Sequence, residues 1–214
     1  MSRNRHVERT PAMSATPIIR PGEGSSVPVV LGDSAVVNGI VVQTAAVNLS
    51  EAPVPERKYV ADTYGVVFVP GTVQLLFGQR RIGVDALRSL LIIQMTPFSA
   101  ARFLGSMAQL SPISLEQLAE QNQISAEMPP PITSEPDQTV ALAAGLVLTA
   151  ASSEETTLDF YQASAFSVSA MQHTKHLHLD PVVRIDLRTS LMLGLVEQLR
   201  MLGSKLPSMS IRHG

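Results

Sequence analysis

The feature that most constrains this chain is self-similarity: one order of apolar strands closed by an amphipathic helix runs through it twice. Ala144-Gly145-Leu146-Val147-Leu148 matches Tyr64-Gly65-Val66-Val67-Phe68 at an offset of 80, and Leu158-Asp159-Phe160-Tyr161-Gln162 matches Leu75-Leu76-Phe77-Gly78-Gln79 at 83. Val182-Val183-Arg184-Ile185-Asp186-Leu187 matches Leu90-Leu91-Ile92-Ile93-Gln94-Met95 at 92. The helix stripe Ala100, Phe103, Leu104, Met107, Leu110 returns at that same offset as Met192, Leu195, Val196, Leu199, Leu202. The steps from 80 to 83 to 92 place three extra residues in one hairpin loop and nine in the next, where insertions cost least.

Local signals punctuate the repeats. Ser34 to Leu49 is crowded with β-branched residues and reads as a strand interrupted only by Gly39. Tyr64–Val69 and Thr72–Phe77 flank the turn dipeptide Pro70-Gly71 as a hairpin, and Leu90–Met95 is a further strand. Thr96-Pro97 supplies a capping hydroxyl and a proline at the first helical position. Ser114, three residues before Gln117, reads as a capping box for a short second helix.

The expected fold is α+β: two tandem repeats of antiparallel strands, each followed by an amphipathic helix, packed as a pseudo-symmetric intrachain dimer because each half has one sheet face and one helix face to cover. The expected organisation is a disordered N-terminal arm over residues 1–30, a first repeat over 31–125, a Pro-rich linker over 126–138 and a second repeat over 139–214.

Composition narrows the function. With 16 basic and 18 acidic side chains the net charge is -2, which gives no basic footprint for nucleic acid. The absence of cysteine removes disulfides, thiolate nucleophiles and Cys-type zinc sites, and fits a reducing cytoplasm. No apolar run is long enough for a membrane span and the N-terminus lacks the apolar core of a signal peptide, so a soluble cytoplasmic protein is expected.

The run Tyr59-Val60, Gly65-Val66-Val67-Phe68, Leu75-Leu76-Phe77-Gly78-Gln79, then an apolar strand into Met95-Thr96-Pro97 and a helix, resembles a small uncharacterised bacterial domain of unknown function. Pro181-Val182-Val183-Arg184-Ile185 and its helix look like it too, with Arg188-Thr189 in place of the Thr-Pro. Strands followed by a long helix and a Leu-x-Pro segment, Leu110-Ser111-Pro112 or Leu206-Pro207-Ser208-Met209, are similar to the SecB-type export chaperones. That resemblance implies an oligomer holding unfolded chains in apolar grooves.

Candidate chemistry is sparse. His173, His176 and His178 with Asp180 form the one metal-like cluster, since His176 and His178 at i, i+2 would share a strand face, but a polar hairpin edge accounts for them equally. Asp186 beside Arg184 reads as a surface pair, Glu154-Glu155 as a loop, and Arg80-Arg81 as a solvated turn. No Gly-x-Ser-x-Gly elbow is present, and Pro21-Gly22-Glu23-Gly24-Ser25-Ser26 lacks the lysine of a phosphate loop. No catalytic residue and no cofactor are expected, and no metal site beyond those histidines.

These features point to a non-enzymatic bacterial interaction or assembly protein that oligomerises through sheet edges or helix faces, with Phe103, Met107, Leu195 and Leu199 as interface residues. The alternatives are a SecB-like chaperone and a small metal-dependent enzyme using the histidines.

Overall fold

The computed structural model describes residues 27–37, 40–47, 52–83, 86–107, 113–133, 135–174 and 177–203. Residues 1–26 of the expected N-terminal arm lie outside the described residues. β1 (Val27–Val37) and β2 (Ile40–Val47) pair antiparallel as a two-stranded sheet, so the single strand expected from Ser34 is the second half of a hairpin that begins at Val27.

The remaining strands form two four-stranded mixed sheets. Their ranges are β3 (Lys58–Ala61), β4 (Thr63–Val69), β5 (Thr72–Arg80), β6 (Leu87–Met95), β7 (Gln138–Ala143), β8 (Leu146–Ala151), β9 (Glu155–Gln162) and β10 (Asp180–Arg188). The helices are α1 (Pro97–Met107), α2 (Leu115–Gln121), α3 (Ala165–Thr174) and α4 (Thr189–Met201). One sheet has the order β4-β5-β6-β7 and the other β3-β10-β9-β8. Each is an antiparallel meander of three consecutive strands plus one parallel strand taken from the other half of the chain: β7 beside β6, and β3 beside β10. The expectation of purely antiparallel halves fails at these two strands. A parallel neighbour needs a long crossover, which the two halves supply for each other.

The chain changes sheet at tight corners. Only Asp62 separates β3 from β4, and its N–H donates to the Gly78 carbonyl at 3.0 Å. Ala144-Gly145 separates β7 from β8, and the Gly145 N–H donates to the Tyr161 carbonyl at 2.9 Å. Sheet registers also repeat. Adding 83 to both members of Val66↔Leu75 gives Thr149↔Leu158, a pair of the β8–β9 ladder. Adding 83 and 92 to Leu75↔Ile93 gives Leu158↔Ile185 in β9–β10. Adding 92 to Ile92 and subtracting 83 from Ala141 carries the parallel pair Ile92↔Ala141 onto Arg184↔Lys58. A shift of 83 for β4, where the sequence match has 80, reproduces the β8–β9 ladder, and the stretch after β9 contains helix α3, where a polar hairpin loop was expected.

α1 packs on β5, β6 and β8, and α4 on β4, β9 and β10, so each helix reaches across to the edge strand of the other sheet, and the two helices touch. One core results, containing Leu75, Phe77, Ile93 and Met107 from one stretch and Leu158, Phe160, Ile185 and Leu195 from the other. The capping box at Ser114 is present, with Gln117 N–H donating to the Ser114 hydroxyl and Ser114 N–H to the Gln117 side chain. Among the described residues no helix is long and apolar enough to cross a membrane.

The Pro-rich segment is strapped to this body. Glu127 N–H donates to the Ser190 carbonyl at 2.9 Å, the Tyr64 hydroxyl donates to the Glu127 carbonyl at 3.0 Å, and the Glu127 carboxylate takes Arg188 and Ser190. Arg80 donates to the Pro130 carbonyl at 3.0 Å, and Arg81 pairs with Asp137.

Candidate functional site

Strand alternation gives each sheet one face toward the core and one away from it. On the β4-β5-β6-β7 sheet the core takes Val73, Leu75, Phe77, Leu91 and Ile93. The opposite face carries a cross-strand row Gly65, Leu76, Ile92, Ala141 and, beside it, a row Val67, Gln74, Gln94, Ala143. Leu90 stands opposite Thr139 on the same face. None of these side chains is charged. Val67 and Val69 are each 41% exposed, Gln94, Thr139, Ala141 and Ala143 are exposed, and Leu76, Leu90 and Ile92 are half-buried by their neighbours.

The corresponding face of the other sheet is built differently. At the register positions reached by the shifts of 83 and 92, Leu76 gives way to Asp159, Ile92 to Arg184, Gln94 to Asp186, and Ala141 has Lys58 as its counterpart. Arg184 grips Asp159 across β9–β10 with two parallel bonds, Nε to Oδ1 and Nη2 to Oδ2, both 2.7 Å. Such a fork is a strong charge-assisted geometry. It holds the Arg184 guanidinium above its ordinary range. Asp186 accepts from the Thr157 hydroxyl at 2.7 Å. The surface pair expected between Asp186 and Arg184 is thus replaced by Arg184 with Asp159, because residues facing one another across a ladder are closer than those two apart on one strand. Part of this second face is closed by Leu177 and Leu179, which pack with Leu146 and Leu148 around Tyr161. Burial, then the Asp159 charge, pushes the Tyr161 hydroxyl up to about 12.

β7 is also exposed along an open sheet edge. Gln138, Thr139, Val140, Ala141 and Ala143 are all exposed, its one ladder among the described residues runs to β6, and it contains neither a charge nor a proline. Native sheets ordinarily guard such edges with charges, prolines or bulges.

The other expected site residues are placed as follows. Phe103, Met107, Leu195 and Leu199 are all buried in the chain's own core, at most 3% exposed, so they are corrected from a surface for another molecule to the inner faces of α1 and α4. Their spacing marked a buried helix face, which periodicity alone does not assign to a particular partner. His173 lies near the end of α3, exposed; His178 is exposed and precedes β10, so it is not on the expected strand face; His176 lies outside the described residues. Among the described residues no group of three metal-binding side chains comes together. Arg80 closes β5 and is engaged, its N–H donating to the Asp62 carboxylate at 2.9 Å, so the expectation of a solvated turn is corrected there.

The neutral face was missed because its residues are scattered through four strands, one of them β7, which follows the Pro-rich stretch. The signal was present in Leu76, Ile92 and Gln94 aligning at the offsets of 83 and 92 with Asp159, Arg184 and Asp186. Compared with protein-family models, curated proteins and solved structures, the chain matches none of them.

Proposed function

We propose that the chain is a non-enzymatic bacterial protein-interaction or assembly protein, an internal duplication folded as an intrachain pseudo-dimer that presents one neutral sheet face to a protein partner. The duplication is supported by registers that carry over at constant shifts and by the exchange of β3 and β7 between halves. Exchange of equivalent elements is how two copies of one unit interlock. The observation that carries the binding role is the absence of charge from the rows Gly65, Leu76, Ile92, Ala141 and Val67, Gln74, Gln94, Ala143, with Arg80 and Arg88 lying beyond them at the end of β5 and the start of β6, set against the Asp159, Arg184, Asp186 and Lys58 of the other sheet. Contiguous apolar patches on a surface mark interaction sites. The partner is a protein, and the compartment proposed is the cytoplasm.

A second reading is favoured by the uncharged edge of β7: an extended segment of another polypeptide adds there as a fifth strand, as a SecB-type chaperone would require. Light scattering on the purified chain, with and without an unfolded client protein, tests both. A defined oligomer indifferent to client supports assembly, and capture of client with delayed aggregation supports the chaperone. A single chain that binds no protein overturns both.

A further inference from the structure

We infer that the neutral face of the β4-β5-β6-β7 sheet is a self-association surface whose occupant is the same face of a second copy of this chain. The inference rests on the protein-binding reading above and names its partner.

Charge is the first argument. A two-fold interface sets one patch against its own copy, so a charge near the axis meets its own like within a few ångströms. Leu76, Ile92, Val67, Leu90, Gln94 and Ala141 bring none, whereas the counterpart sheet carries Lys58, Asp159, Arg184 and Asp186. The charges of β5 and β6, Arg80 and Arg88, lie at the end of one strand and the start of the other, beyond these rows.

The second argument is its polar content. Gln74 and Gln94 are directly opposed across β5–β6, between Val67 on one side and Ala143 on the other. A carboxamide both donates and accepts, so an amide pair is complementary to a copy of itself in a way that a carboxylate or an ammonium group is not. Two such sheets stack about 10 Å apart with interleaved side chains.

Size sets the expected strength. Four strands about 4.8 Å apart and about six residues long at roughly 3.4 Å each give a flat footprint of about 400 Å² per copy. That is small beside the roughly 800 Å² per partner of a standard specific interface, so the dimer is weak and reversible.

The test moves the other sheet's charges onto this one. Leu76→Asp with Ile92→Arg recreates the Asp159–Arg184 pair at the equivalent register, and Ala141→Lys recreates Lys58 at an exposed position where folding is not at stake. Sedimentation velocity over a concentration series, with circular dichroism to verify folding, reads the outcome. The wild-type chain is expected to move from 23.0 kDa toward twice that mass as concentration rises, while both variants stay folded at the mass of one chain. Variants that dimerise like the wild type overturn the inference and leave the protein-binding reading standing. A wild-type chain that stays single but captures unfolded client does the same. A wild-type chain that stays single and captures none removes both.

Discussion

The rings of Phe77 and Phe160 meet edge to face, their centroids 6.1 Å apart and their planes at 66°. Both are fully buried, and they occupy equivalent places in β5 and β9, separated by the same 83 residues that relate the ladders of those strands. A residue that touches its own equivalent lies on the axis relating two copies, so this pair is where the proposed duplication closes on itself. Replacing either ring by Ala is expected to cost about 3–5 kcal/mol in urea unfolding, and the double variant should reveal a coupling of about 1 kcal/mol. Single variants whose losses simply add would place the two rings in independent cores.

Gly194 lies on α4 where a Cβ would overlap the Tyr64 hydroxyl and the Glu127 carbonyl. Gly105 lies on α1 with open space around the same atom. In an exposed helix position Ala is better than Gly by about 1 kcal/mol, so Gly105→Ala should raise stability by about that amount. Gly194→Ala should lower it by a few kcal/mol, because the new methyl displaces the strap that holds Glu127 to the helix. Thermal melts of the two variants check this directly. Equal, positive shifts would mean that the strap does not press on α4.

Much of this architecture was legible as pattern. The stripes from Ala100 to Met107 and from Met192 to Leu199 reported real helices, and Ser114 with Gln117 reported a real cap, because caps and helix periods are local physics. The two exchanged strands were not legible. Lys58–Ala61 is four residues long and Gln138–Ala143 is exposed on both faces, so neither has the apolar alternation that marks a half-buried strand, and their ladder partners lie 126 and 49 residues away. Helix α3 was missed because Ala165–Thr174 interleaves small, polar and apolar residues with no consistent stripe. The neutral face appears only when four strands are laid side by side, which the linear sequence does not do.

The Asp159–Arg184 fork should behave as a partly buried pair. The two side chains are 15% and 26% exposed, and each is satisfied by the other. Asp159→Asn leaves the guanidinium without its carboxylate and should cost about 1–3 kcal/mol. The double change Asp159→Leu with Arg184→Ile copies the neutral sheet and should be close to neutral in stability, since no charge is left unpaired. A double variant as unstable as the single one would show that the pair is needed for reasons other than mutual compensation.

The tyrosines predict the alkaline limit of the fold. The chain has three, and no tryptophan, so the ultraviolet signal of ionisation is theirs alone. Burial pushes Tyr64 up to about 12, helped by the charges of Glu197 and Glu127. Burial with Asp159 does the same for Tyr161, and Tyr59 is raised chiefly by burial against its bond with Ser89. A group whose pKa is raised on folding keeps its proton longer in the native state, so its contribution is complete below the unfolded value of about 10 and disappears as pH rises through about 12. Between those limits the unfolded chain releases protons that the native chain holds, and stability must fall. Spectrophotometric titration should therefore find little tyrosinate near pH 10 and then a steep rise that coincides with loss of circular dichroism. Tyr64→Phe removes the donor to Glu127 but also one of the groups that titrates, so it should lower stability at neutral pH by about 1 kcal/mol and flatten its alkaline decline. If tyrosinate instead appeared near pH 10 in a chain that stayed folded, the Tyr64 and Tyr161 hydroxyls would be open to water and the strap over α4 would be loose.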